Sequence, residues 1–317
     1  MHESDRLDRN HPHASTRIPF MSHSFIDNTL LSRLASLPIQ SHAPMLGNVA
    51  GKHRSPHRGS SAEFAEYRKY MPGDDTRRLD WKAFARSDRF YIKEFEADTN
   101  LRAYFIVDAS GSMNFAGQGF AKIEFARRIA ASLAYLLVNQ GDAAGLSICT
   151  DQLHLEVPPS RRPAHLERFF SALANVQPSG ETGLLNALHT IAEKIGQRAF
   201  VIILSDLFTD TASLADALQH LRYRKHDVSV FHLMDPLEIS FDFDRPQRFV
   251  DLEDQSSIVT EPNLIADEYK IALRAFLTEV RSQCENALAN YQLVQTNAPL
   301  ELLLRDFLTK RLPKSKH

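Results

Sequence analysis

Asp108, Ser110 and Ser112 alternate with small residues at the end of an apolar run, in Leu101-Arg-Ala-Tyr-Phe-Ile-Val-Asp-Ala-Ser-Gly-Ser-Met113. On an extended turn, Ser110 and Ser112 can point the same way with Asp108 beneath them. Ala109 and Gly111 let the backbone wrap closely around an ion. Two more oxygen donors stand at comparable places: Thr182 in Ser179-Gly-Glu-Thr182, and Asp206 directly after Val201-Ile-Ile-Leu204-Ser205. Hydroxyls and carboxylates without nitrogen or sulfur form a hard donor set suited to Mg²⁺ or Mn²⁺. Three of the five donors are neutral, so the set under-compensates a dication. It also leaves one octahedral position for an outside oxygen. A carboxylate from a partner protein is the expected occupant, attracted strongly in a partly dry cleft. The expected chemistry is metal-dependent adhesion and not turnover.

Other chemistries fit less well. An aspartyl phosphotransferase needs a second acid where Ser110 stands. A P-loop, a GxSxG elbow and an HExxH helix are absent from the sequence, and Gly117-Gln-Gly119 lacks the third glycine of a dinucleotide fingerprint. A metal-dependent hydrolase or phosphoryl-transfer enzyme using the same pocket is the alternative. It would need a general base, for which Glu181 is the candidate, although Gly180 beside it reads as a simple turn. A nucleic-acid reading would rest on Lys52-His-Arg54 with His57 and Arg58. Acids follow that run closely and no aromatic ladder interleaves it, so it reads as a solvated or interface loop. His11 and His13 sit in a polar, aperiodic N-terminal stretch and are read as carrying no metal.

The elements that must position these donors follow from periodicity. Short apolar runs give strands near 101–108, 145–150, 152–157, 199–205, 228–234 and 291–296. Helical spacing gives helices near 120–139, 163–175, 183–196, 211–223, 263–290 and 299–311, with Pro262 and Pro299 at two of the starts. In the long C-terminal helix, Tyr269, Leu273, Phe276, Leu277, Val280, Cys284 and Leu288 form one apolar face. Residues 152–157 follow their predecessor too closely for a crossover, so that pair is antiparallel and the sheet is mixed. All three donor loops then fall on one edge of an α/β sheet, where strand ends and helix N-termini converge.

Upstream, residues 1–25 read as a disordered tail. Asp27 caps a short helix carrying Leu30, Leu31 and Leu34, which Pro38 ends. Residues 44–100 read as a small antiparallel subdomain packed on the main sheet. Its strands lie at Met45–Ala50, Glu63–Tyr70 and Phe90–Phe95. A turn at Pro72-Gly-Asp-Asp75 and a helical turn at Asp80–Arg86 complete it, with Trp81, the only tryptophan, as its packing anchor.

The totals are ordinary. The 317 residues are 43% hydrophobic and 24% charged with a net charge of −2, which points to neither a nucleic-acid nor a membrane partner. Cys149 and Cys284 lie in apolar segments and read as core thiols in a reducing compartment. No sequence stretch approaches the ~20 apolar residues of a membrane span, and no signal peptide is evident, so a cytoplasmic location is expected.

The five donors resemble the metal-ion-dependent adhesion site of von Willebrand factor A-type domains, a Rossmann-like α/β fold, over roughly residues 100–300. The preceding segment narrows the likeness. Gly51-Lys-His-Arg-Ser-Pro-His-Arg-Gly59, Glu63-Phe64, Arg68-Lys-Tyr70, Pro72-Gly-Asp-Asp75, Arg78, Asp80-Trp-Lys82, Ala85-Arg86 and Lys93-Glu94 resemble the bacterial domain-of-unknown-function family fifty-eight. Arg224-Lys-His226-Asp-Val228 and Phe249-Val-Asp-Leu-Glu253 are similar to it too. The resemblance implies a mixed sheet flanked by helices, no enzymatic activity, and association with a MoxR-type AAA+ ATPase in a chaperone-like or stress system. Gly183 stands where that family often has Asp after the threonine. The charged stretch Arg68–Arg89 is either an ion-pair network or a docking surface for the ATPase ring.

Overall fold

The computed structural model describes residues 23–41, 62–69, 81, 84, 86, 90–97 and 101–311 apart from 152, 244, 254 and 255. The strand expected at Met45–Ala50, the basic run 51–59 and the turn at 72–75 lie outside the described residues.

The main sheet has six strands: β3 (Arg102–Asp108), β4 (Ala143–Cys149), β5 (Leu153–Ser160), β6 (Phe200–Ser205), β7 (Asp227–Met234) and β10 (Asn290–Gln295), in the spatial order β10-β7-β6-β3-β4-β5. All neighbours are parallel except β4 and β5. The mixed sheet with one antiparallel edge strand is therefore as expected. Pro158 and Pro159 lie within β5, and a Cβ at Gly145 on β4 would come within 2.9 Å of the Pro159 nitrogen.

Helices cover both faces, because the central strands are apolar on both sides. Side chains alternate across a strand. Phe200, Ile202 and Leu204 of β6 enter one core with Phe105 and Val107, while Val201 and Ile203 enter the other with Ile106. The first core is closed by α2 (Lys122–Asn139), α3 (His165–Ala174), α8 (Leu300–Lys310) and the short α1 (Asn28–Leu34). Asp27 caps α1 by accepting from the Thr29 and Leu30 amides, at 2.9 and 3.1 Å. Phe25 ahead of it is buried and meets Phe170 edge-on. The second core is closed by α4 (Leu184–Lys194), α5 (Thr211–Tyr223) and α7 (Pro262–Asn286). Both free cysteines are fully buried there.

Two antiparallel pairs stand outside the main sheet. The first is β1 (Ala62–Lys69) with β2 (Tyr91–Ala97). The second, β8 (Gln247–Val250) with β9 (Ser257–Thr260), follows the short α6 (Pro236–Ser240), and neither of these was expected from the sequence. Trp81 is not the expected packing anchor. It is 62% exposed, and among the described residues its ring meets Phe84 edge-on at 6.3 Å, so its indole buries too little area for that role. The face drawn on α7 also shortens. The helix ends at Asn286, and Leu288 lies beyond it, exposed, with a left-handed φ of 54°.

His232 on β7 is fully buried, with Nδ1 2.9 Å from the Tyr291 hydroxyl. Burial pushes its imidazole down to about 4. A folded-state value below the unfolded one means full stability above about pH 6.5 and a loss as pH falls toward 4. The shift corresponds to about 3 kcal/mol. Urea denaturation across pH 4–7 should show this loss in the wild type and a shallower one in His232→Gln. Parallel curves would refute it.

Candidate functional site

The first donor loop leaves β3 at Asp108 and turns into a single 3₁₀ turn, Gly111–Asn114. The Asp108 carboxylate is almost fully buried and accepts three hydrogen bonds. These come from the Ser110 amide at 3.0 Å, the Ser205 hydroxyl at 2.6 Å and the Thr182 hydroxyl at 3.3 Å. The Ser110 and Ser112 hydroxyls are 3.1 Å apart. Backbone bonds stitch this loop to its neighbours: Gly111 N–H donates to the Gly180 carbonyl, Ser179 N–H to Ala109 and Ala109 N–H to Cys149. Gly180 adopts φ +70°, which makes Ser179–Thr182 a tight turn as read. Its tip residue Glu181 is exposed. Thr182 also accepts from the Leu184 amide at 3.3 Å, joining the turn to the start of α4.

The third loop follows β6. Ser205 accepts from the Leu207 amide at 2.9 Å while donating to Asp108. Leu207 is buried with a left-handed φ of 54°, a strained conformation for a bulky residue. Asp206 is 2% exposed and is engaged by Lys122, whose Nζ donates to its Oδ2 at 2.7 Å and to Glu238 Oε1 at 2.8 Å. Burial opposes the Lys122 ammonium, but the charges of Asp206 and Glu238 outweigh it and hold its pKa above the ordinary lysine value. Glu238 completes a capping box on α6: its Oε2 accepts from the Asp235 amide at 2.7 Å.

The Asp235 carboxylate clasps the loop after the 3₁₀ turn, accepting from the amides of Gly117, Gln118 and Gly119 at 3.0 Å each. A Cβ at Gly117 would meet Asp235 at 2.6 Å, and one at Gly119 would meet Thr296 at 2.1 Å. Those glycines serve close approach.

The structure thus brings Asp108, Ser110, Ser112 and Thr182 into one hydrogen-bonded group. Asp206 is near enough for its charge to act on Asp108. Burial first, and then that charge, raise the Asp108 carboxyl to about 6, against the pull of Ser205 and Ser110. An oxygen-only set with two like charges in a dry site suits a hard cation. Among the described residues, no group of three or more His, Cys, Asp or Glu is disposed to hold a metal, so any cation here would depend on the hydroxyls as well.

The charge-poor cage read from the sequence needs correction. Lys122 and Glu238 belong to its wall, and so does a further acid. Glu253, in the turn between β8 and β9, is half-buried and lies against the first donor loop, where a Cβ at Gly111 would stand 3.2 Å from its backbone nitrogen. Burial raises its pKa, with the charges of Asp206, Asp108 and Asp251 adding to the effect. A signal for Lys122 was present. A lysine in the first turn opposes the helix dipole, which implies a carboxylate partner. Asp235-Pro-Leu-Glu238 carries the capping-box spacing that places Glu238.

Lys122→Met should lose about 3–5 kcal/mol in urea denaturation, because it leaves Asp206 and Glu238 buried without their cation. A loss under about 1 kcal/mol would show that water reaches the pair.

The family profile described as "Protein of unknown function DUF58" matches residues 66–276. The uncharacterized protein Rv1480 of Mycobacterium tuberculosis is 27% identical over 216 residues, covering 67% of this chain and 68% of that protein. YeaD of Bacillus subtilis, also uncharacterized, is 30% identical over 91 residues, or 29% of this chain and 21% of YeaD. Among solved structures, BatB from Bacteroides thetaiotaomicron is 15% identical with a TM-score of 0.45, covering 67% of this chain and 98% of BatB. The SpRpn10 VWA domain is 11% identical with a TM-score of 0.41, covering 68% and 96%. The match over residues 66–276 is the ground for assignment: this chain belongs to the DUF58 family, and its fold is a mixed α/β sheet flanked by helices.

Proposed function

We propose that the chain is a metal-ion-dependent protein-interaction module. Asp108, Ser110, Ser112, Thr182 and Asp206 hold Mg²⁺ or Mn²⁺, and the partner supplies a carboxylate. The observation that carries this reading is the meeting of three loops on one buried carboxylate: Asp108 receives Ser110 from its own loop, Thr182 from the second and Ser205 from the third. When bound, the cation supplies a fixed positive charge that an outside acid can ligate.

The residues around it have separate tasks. Ser205 and the Ser110 amide fix the Asp108 carboxylate, so its orientation is set before any ligand arrives. Lys122 balances part of the charge of Asp206 and ties it to α6. Because Asp108, Ser110 and Asp206 are buried while Ser112 and Thr182 are partly exposed, an acid approaching past the last two is attracted in a low-dielectric setting. The proposed partner is a MoxR-type AAA+ ATPase, on the family resemblance. Among the described residues no helix is long and apolar enough to cross a membrane.

Mg²⁺ or Mn²⁺ should raise the thermal midpoint of the full chain, since a ligand of the folded state stabilises it by mass action. Asp108→Ala and Ser112→Ala should abolish the rise, the second with the buried carboxylate intact. In a pull-down from the native cell, an AAA+ ATPase should be recovered by the wild type and lost with EDTA or in either variant. Equal recovery in every arm would refute a metal-bridged interface.

A further inference from the structure

A separate cluster of nitrogen donors lies on the helices that close the second core, toward the C-terminal ends of α4 and α5. Leu188 and Ile191 of α4 and Ala217 and Leu221 of α5 are buried in that core, which fixes the two helices side by side. His189 follows Leu188 and His220 precedes Leu221, so both imidazoles stand on the rim of the contact. Their Nδ1 atoms are 3.0 Å apart and their ring centroids 5.3 Å apart. The His220 side chain is 26% exposed and His189 is half-buried, so the pair can be reached from solvent.

Glu193, one turn beyond His189 on α4, sets where the protons of this pair sit. Its Oε1 is 2.8 Å from His220 Nε2, and its Oε2 accepts from Arg224. The hydrogen bond from His220 leads in holding the Glu193 carboxyl below its ordinary value, and the charge of Arg224 adds to it. An ionised carboxylate only accepts, so neutral His220 carries its proton on Nε2 and turns the Nδ1 lone pair toward His189. A carboxylate on the far nitrogen is the arrangement that orients metal-binding histidines.

Two ring nitrogens at this separation have either a proton or a cation between them. The proton would be carried by His189 Nδ1 and shared with His220. For a cation, nitrogen donors about 2.0–2.1 Å from the metal stand about 2.9–3.4 Å from each other between right-angled and tetrahedral geometry. The observed 3.0 Å falls in that span. Imidazole suits Zn²⁺, Ni²⁺ and Cu²⁺, and not Mg²⁺. Among the described residues no third His, Cys, Asp or Glu completes the set, so the remaining positions are open to water. His220 lies in the last turn of α5, where the helix dipole favours positive charge, and the nearby charge of Arg224 is offset by Glu193.

We propose that His189 and His220 form a second metal site, for a borderline dication of the Zn²⁺ class, with Glu193 as the residue that positions His220. The ion replaces the shared proton: His189 moves its proton to Nε2, both rings stay neutral, and no proton leaves the site. α4 begins just after Thr182 and α5 just after the Asp206 loop, so the ion staples together the helices that leave two donor loops. The site differs from those loops in donor chemistry and does not depend on their holding a cation.

The test uses the full chain with Zn²⁺ alone, read at the ring nitrogens by long-range ¹H–¹⁵N correlation, because the chain has 14 histidines. Zn²⁺ should move the Nδ1 resonances of His189 and His220 together, and Mg²⁺ at the same concentration should leave both in place. In His189→Gln the His220 ring should cease to respond, and in His220→Gln the His189 ring should. Glu193→Ala should weaken the Zn²⁺ response at least about tenfold, the size expected for loss of a supporting partner. In that variant the metal-free His220 ring should also depart from the Nε2–H form. Either ring responding undiminished without the other, equal affinity in Glu193→Ala, a matching response to Mg²⁺, or a wild type in which neither ring responds overturns the site.

Discussion

The buried ammonium of Lys122 connects the parts of this molecule that carry its chemistry. It opens α2, beneath the first donor loop, and reaches Asp206 at the end of β6 and Glu238 on α6. Moving such a charge out of water costs several kcal/mol, and two carboxylates at 2.7 and 2.8 Å offset that cost only if the three elements hold their places. The geometry of the three loops therefore depends on this triad. It also sets a fixed positive charge in the wall of the site. A mobile cation would thus sit beside a tethered one, and not in a cage of acids alone.

Around the triad the loops are held by backbone atoms more than by side chains. Gly111, Ser179 and Ala109 pass hydrogen bonds between adjacent loops, and Asp235 binds three consecutive amides of residues 117–119. Burial works against the charge of Asp235, but these amides and that of Leu237 outweigh it and hold the carboxyl below its ordinary value. The hydroxyls of Ser110, Ser112 and Thr182 are thereby presented from loops with little freedom, which suits a site that binds by pre-organisation.

Much of this was legible in the sequence. The strands around Phe105 and Ile202 carry continuous apolar runs, Phe105–Val107 and Phe200–Leu204, which burial on both faces explains, and the helices follow from their spacing. The donors sit at strand ends because that is where the apolar runs stop. Less legible was what depends on distant partners. Lys122 looks like a surface residue until Asp206 and Glu238 are seen beside it. The strands at 247–250 and 257–260 are four residues each, too short for a period to register, and their placement comes from Phe241, Phe243 and Tyr269. Trp81 was misread because an indole usually buries a large area, and here it does not. Leu288 extended the apolar face on paper, but the left-handed backbone beyond Asn286 turns it outward.

The two prolines of β5 have a consequence for how other chains can attach. Neither can offer an N–H, so the backbone of that border strand has gaps in its row of donors. An extended segment from another molecule would find no continuous template there. Lateral growth of the sheet past β5 is disfavoured.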